Sequence, residues 1–299
     1  MALKFGRNYT LSIQDGLSGN WLDISYPITC EFMVKKHNMA SLNEANFKLY
    51  NLKLDTRNLI YHELYATNTR RQIIFNAGYG DASNLVKIFD GTVRQCYSYR
   101  QGKDIITEIF AWDGGDATNN GVASVTVDKD ESFRDLLSRL SGYMPNLTGT
   151  YVSDSFSDFI AKRGQAYIGE PYGLITSFAS TKTFIEDRWL YVLNKERSDG
   201  KTEVFEPGLI AVIDFNDGLL DTPKRNDTQL IFKMIFTPGL ETQQWVKLNS
   251  LVNPIYNNES YEVTGFTHQG IISGSVAGGE CTTTVYLNFM ASGYSIGKR

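Results

Sequence analysis

The chain has 299 residues, with 29 Lys and Arg against 33 Asp and Glu, and a net charge of −4. No basic run exists that would neutralise a row of phosphates, so nucleic-acid binding has no electrostatic footprint. No apolar stretch approaches the roughly 18–20 residues of a membrane span. Aromatic residues make up 13%, with 17 Tyr and 17 Phe beside 26 Gly and 7 Pro. That mixture suits half-buried pleated surfaces separated by glycine turns.

The first third reads as strands. "TRRQIIFNAGYGD" alternates Arg71, Ile73, Phe75 and Ala77 against Arg70, Gln72, Ile74 and Asn76, then breaks at Gly78 and Gly80. "LVKIFDGTVRQCYSYR" continues the pattern through a kink at Asp90-Gly91. After a turn at Gln101-Gly102-Lys103, "DIITEIFAW" forms a further strand that ends on Asp113-Gly114. Period-2 alternation with glycine punctuation predicts a meander or small barrel.

The polar loop "GGDATNNG" at 114–121 marks a change of organisation. Beyond it, Phe133, Leu136, Leu137 and Leu140 fall at helical spacing, with acidic residues before them and Gly142 after. "DSFSDFIAKRG" predicts a second, shorter helix with Phe156, Phe159 and Ile160 on one face. "TKTFIED" and "RWLYVLNK" follow as strands, completing a small α/β module. The chain then returns to β with "DTQLIFKMIFTPG", "QQWVKLNS", "SYEVTGFTHQG" and "CTTTVYLNFM".

The two β regions match at a nearly constant offset. Ile73 to Trp245 is 172 residues, Ile88 to Val263 is 175, and Thr107 to Thr283 is 176. This predicts one β unit used twice with the module inserted between. The expected fold class is α+β, mainly β, with units at 1–116, 117–203 and 204–299.

No enzyme signature survives inspection. "GYGDAS" at 78–83 leads into a strand instead of a helix, so it has no helix N-terminus for a pyrophosphate. "GYSIG" at 293–297 matches a nucleophile elbow in letters alone, since only Lys298 and Arg299 follow it. His37, His62 and His268 stand singly, without metal-ligand spacing; His268 reads as a strand-end residue that hydrogen-bonds locally. Cys30, Cys96 and Cys281 are too widely spaced for a disulfide framework or a metal knuckle and predict buried, reduced thiols of a cytoplasm-folded chain. The N-terminus has no apolar core of a secretory signal. Asp90, Asp104, Asp113, Asp217 and Asp221 sit beside glycine or in turn-rich sequence, where Asp belongs for backbone reasons. We therefore expect no catalytic, cofactor or metal residues.

Several stretches resemble the baseplate hub proteins of contractile-tailed phages. They are "NEANFKLYNLKLDTRNLI", "IIFNAGYG", "VKIFDGTVRQCYSYRQGKDIITEIFAWDGG", "SFRDLLSRLSGY", "GLLDTPKRNDTQLIFKMIFTPGLETQQWVKLNS" and "YEVTGFTHQGIISG". The most specific pieces are Tyr50-Asn51-Leu52, "NAGY" with Gly78 and Tyr79, "FDG" with Asp90 and Gly91, "WDG" at Trp112-Asp113-Gly114, the turn at Pro238-Gly239, and "GFTHQG" with His268 and Gly270. The chain departs from the pattern at Glu280-Cys281, where an aromatic residue is expected.

The resemblance implies two β-barrels like tail-tube subunits, also shared with type VI secretion spikes. It implies a structural homotrimer in the virion baseplate, assembled in the host cytoplasm, that joins tail tube protein to a central spike and touches wedge or sheath-initiator proteins. DNA would pass through without specific binding. The alternatives are a distal tail or other tail-ring adaptor, and a carbohydrate-binding or carbohydrate-active β-protein.

Overall fold

The computed structural model describes residues 6–39, 41–64, 71–179, 183–193, 211–214, 218–257, 259–274 and 279–289. The expected boundary at 203/204, Asp217 and the "GYSIG" stretch lie outside the described residues. The first β region contains β1 (Arg7–Gln14), β2 (Trp21–Ser25), β3 (Cys30–His37), β4 (Glu44–Tyr50), helix α1 (Leu54–Ile60), β5 (Gln72–Tyr79), β6 (Val86–Gln101) and β7 (Asp104–Trp112). The middle contains α2 (Gly115–Asn119), β8 (Ala123–Val127), α3 (Phe133–Ser141), β9 (Gly149–Val152), β10 (Gln165–Gly169), α4 (Pro171–Phe178), β11 (Thr183–Glu186) and β12 (Trp189–Val192). The second β region contains β13 (Ala211–Asp214), β14 (Lys224–Asn226), β15 (Gln229–Ile235), β16 (Trp245–Asn249), β17 (Ser260–Ile272) and β18 (Cys281–Asn288). The fold is mainly β with few helices, as expected.

Alternation sets which side of each strand is buried. Ile73, Phe75 and Ala77 of β5 and Leu230, Phe232 and Met234 of β15 all point inward. The first core centres on Phe75, whose ring lies 4.8 Å from Phe47 and 5.1 Å from Phe32. Burying one such ring contributes roughly 1.5–3 kcal/mol.

The duplication is visible in the strand order. Neighbours run β3-β4-β7-β6-β5 in the first region and β14-β15-β18-β17-β16 in the second, while the next strands differ, β1 lying antiparallel to β5 and β13 parallel to β16. Both long central strands carry a register shift against their partner, between Val93 and Gln95 in β6 and between Val263 and Gly265 in β17. Among the described residues, hydrogen bonding does not close each region on itself. Gly265–Ile272 of β17 pairs with His37–Cys30 of β3, joining both regions into one 13-stranded sheet. Phe236, Ile272 and Cys281 from the second region pack into the core of the first.

The module has its own apolar cluster around Leu136, Leu137 and Leu140 of α3. The Ser132 hydroxyl caps that helix, accepting from the Asp135 N–H at 3.2 Å. The second predicted helix is corrected: 154–158 makes one 3₁₀ turn, and the chain then extends. Phe159 O accepts from the Phe133 N–H at 2.8 Å, and the Ala161 N–H donates to Glu131 O at 2.9 Å. These long-range backbone bonds outcompete a short segment's helix propensity. The helix that does form is α4, which opens on Pro171.

A buried ionic junction as the candidate functional site

Strands β11 and β12 form a hairpin whose turn is Asp187-Arg188, with φ of 50° and 63°. Both values are left-handed, so the turn's two N–H groups point to one side. Asp113 waits there, fully buried just after β7. Its Oδ2 accepts the Asp187 N–H at 2.5 Å and its Oδ1 the Arg188 N–H at 2.9 Å. Asn43, also fully buried, adds a second tie: its Nδ2 donates to Ile185 O at 2.9 Å, while its backbone O accepts the Asp113 N–H.

Charged side chains surround this clasp. Lys36 of β3, buried among strands, lies 2.8 Å from Asp187 Oδ1 and 3.4 Å from Glu186 Oε1. Arg188 Nε is 3.1 Å from Asp90 Oδ1, and Lys87 is 3.5 Å from Asp90 Oδ2. The Asp90 N–H donates to Asp187 Oδ1 at 3.1 Å. From the second β region, the Thr242 hydroxyl donates to Glu186 Oε2. One knot therefore binds the module to both β regions.

Burial penalises the charged forms, and the neighbours decide the outcome. For Asp113, burial and then Asp187 push the carboxyl up to about 8, against Lys36 and the two N–H donors. Glu186 and Asp90 are also raised, first by burial. Burial opposes the Lys36 charge, but Asp187 and Glu186 outweigh it and hold the ammonium above its ordinary range. His268 is pushed down to about 3 by burial and by Lys36. It is a neutral ring whose Nδ1 lies 2.8 Å from Thr283 Oγ1. It does not end a strand, since β17 continues to Ile272.

The structure brings eight of the singled-out residues to this junction. Asp90 and Asp113 supply carboxyl groups to it. A Cβ on Gly114, at φ +73°, would lie 2.6 Å from Ile185 Cδ1, so only glycine lets the module hairpin sit there. A Cβ on Gly91 would lie 2.6 Å from Trp112 O, and Arg94 lies over the Trp112 ring at 3.9 Å. Pro238, Gly239 and His268 line a cleft beside the knot.

The others lie elsewhere. Asn51, at φ 57°, clamps the start of β7 by accepting the Ile105 N–H at 2.9 Å and donating to Asp104 Oδ1 at 2.8 Å. Tyr50 donates to Glu31, and Leu52 enters the first core. Gly78 ends near Leu85, and the Tyr79 hydroxyl donates to Phe236 O at 2.9 Å across the two regions. Gly270 pairs with Cys281, whose Cα would be 2.7 Å from a Cβ there. That close approach favours a small side chain where an aromatic one was expected.

Lys36, Asn43, Glu186, Asp187, Arg188 and Thr242 were missed by sequence reasoning. The one available signal was Asp187-Arg188 between two short apolar runs, and a turn without glycine gives it weakly.

The fold is that of phage tail proteins. A tail protein from Neisseria meningitidis MC58 superimposes with a TM-score of 0.59 at 10% identity, covering 96% of this chain and 98% of its own. The 43 kDa tail protein of prophage MuSo2 from Shewanella oneidensis gives 0.59 at 7% identity, covering 95% and 97%. The E. coli c3393 protein, a type VI secretion component described as similar to T4 tail proteins gp27 and gp5, gives 0.53 at 9%, covering 93% and 76%. A comparison with curated protein sequences finds no match. The family described as Baseplate hub gp41 matches residues 8–270, and the chain belongs to that family.

Proposed function

We propose that the protein is a trimeric, non-catalytic baseplate hub whose duplicated β units form a ring of six around the tail axis. The observation that carries this reading is the duplication together with its unequal pairing. Within the chain, the second half of β17 pairs with β3. The equivalent strands in the repeat are the second half of β6 and β14. Among the described residues, Tyr97–Gln101 of β6 pairs with β7 alone, and β14 pairs with β15 alone. Setting β6 of one copy against β14 of the next repeats the internal contact and makes a heterologous interface able to close into a ring.

Three copies then present six equivalent units to a six-fold tube and a three-fold face to a spike. We take 1–116, 117–203 and 204–299 as the building units, with the junction fixing the module to the ring. The partners are tail tube protein, a central spike, and wedge or sheath-initiator proteins. The net charge of −4 suits a conduit that lets DNA pass without sticking. Assembly in the host cytoplasm accords with three free, buried cysteines. Among the described residues, no helix is long and apolar enough to cross a membrane.

The test is a cysteine pair, Tyr99→Cys with Lys224→Cys, the positions equivalent to Gln269 and Met33, which face each other in the internal contact. Oxidation is expected to give an intermolecular ladder that stops at three chains. A ladder ending at six, or no crosslink, contradicts the arrangement.

A further inference from the structure

Alternation along the hairpin sends Ile185, Leu190 and Val192 into the module core. Phe184, Glu186, Trp189 and Tyr191 take the other face, which borders a cavity of about 280 Å³. The stretch 238–243 forms the opposite wall, with Lys36 and His268 among the lining residues. Phe184 and Tyr191 stack with ring centroids 5.1 Å apart at 12°, and Trp189, whose ring lies over Gly149, is 41% exposed as a residue.

Three observations point to an occupant. The first is charge. Glu186, Asp187 and Glu241 line the cleft with Lys36 and Lys87. Lys36 is committed to Glu186 and Asp187, and Lys87 to Asp90. Among the described residues, Glu241 has no cation. Directly behind, the Arg188 guanidinium is taken by Asp90. Burial, and then Glu186, Asp187 and Glu241 against Lys36, push the Tyr191 hydroxyl up to about 12.

The second is Gln243, 5% exposed and at φ 66°, whose side-chain Nε2 is buried without a hydrogen-bond partner. Leaving such a donor unmet is costly, and an amide complements a peptide backbone. The third is the aromatic face, where Trp189 and Tyr191 offer the ring surfaces that attract a cation.

We propose that this cleft docks a basic peptide segment of a neighbouring tail protein. An arginine or lysine side chain lies along Trp189 and Tyr191 with its charge met by Glu241 and Asp187, while the Gln243 amide bonds the peptide backbone. The partner's nature rests on the hub reading; the cleft's chemistry does not.

The test uses the full chain, ¹⁵N-labelled at tryptophan, with the Trp189 indole resonance assigned through Trp189→Phe. Titration with the peptide Ac-Gly-Ser-Arg-Ser-Gly-NH₂ is expected to shift that resonance saturably. Replacing arginine by its neutral isostere citrulline should weaken binding at least tenfold, and Glu241→Gln, an exposed position, should reduce the arginine preference several-fold. Gln243→Ala should weaken both peptides by a similar factor. Equal response to the two peptides, or no response at Trp189, overturns the proposal. A shift on raising the protein's own concentration without peptide assigns the cleft to a second copy and overturns it too. A trimer with a silent cleft removes this proposal and leaves the hub reading standing.

Discussion

Asp113 accepts the backbone N–H of Arg188 at 2.9 Å across 75 residues of chain. With the Asp187 N–H on its other oxygen, one buried carboxyl satisfies a whole turn built from two non-glycine residues at positive φ. Removing it with Asp113→Ala leaves two buried donors unmet, each worth about 1–3 kcal/mol. Urea unfolding is expected to show a loss of about 2–4 kcal/mol.

The same carboxyl carries a pH signature. Its folded pKa is raised from 3.8 to about 8, so the folded state holds a proton that the unfolded state releases. A raised group stabilises fully below the unfolded value and loses that contribution as pH rises through the folded one. Asp113→Asn removes this titration. The melting-temperature advantage of wild type over Asp113→Asn should therefore shrink between about pH 4 and pH 8. An advantage that grows over this window contradicts the assignment.

Lys36 neutralises two carboxylates in a nearly dry site. Lys36→Met keeps the volume and strands both acids, a defect that costs about 3–5 kcal/mol when a buried pair is broken. Lys48→Met, at the more exposed pair with Glu31, is the comparison and should change stability by less than about 1 kcal/mol.

Gly114 and Gly102 separate strain from packing. Both have positive φ, +73° and +62°, but a Cβ at Gly102 meets nothing within 4 Å while one at Gly114 strikes Ile185. Gly102→Ala should cost about 1–2 kcal/mol. Gly114→Ala should add an overpacking cost of about 1–3 kcal/mol, and proteolysis of the module should accelerate in that variant alone.

Cys30, Cys96 and Cys281 are all buried, and burial pushes the thiols of Cys96 and Cys281 up to about 12. A thiolate-selective reagent should label none of the three in the folded chain and all three in denaturant.

Much of the architecture was legible because alternation is a local signal. Ile73, Phe75 and Ala77, and again Leu230, Phe232 and Met234, announce their buried faces in the order of letters. The repeat was legible for the same reason in Thr107 and Thr283, but the match of Ile88 to Val263 is out of register, because Ser98 and His268 are the residues that face those two threonines. The joint between the repeats was not, since nothing local in "CEFMVKKH" says that β3 pairs with β17 more than two hundred residues later. The junction was half legible. Asp113 and Gly114 stand out beside Trp112, but Lys36 and Glu186 look like ordinary solvent-facing charges in alternating strands. Only tertiary packing buries them together.

The most direct test of the central claim is the native mass of the hub ring purified from assembled tails. The account predicts three copies of the 33.7 kDa chain. Six copies, as a one-unit-per-chain adaptor would give, or any number other than three, contradicts it.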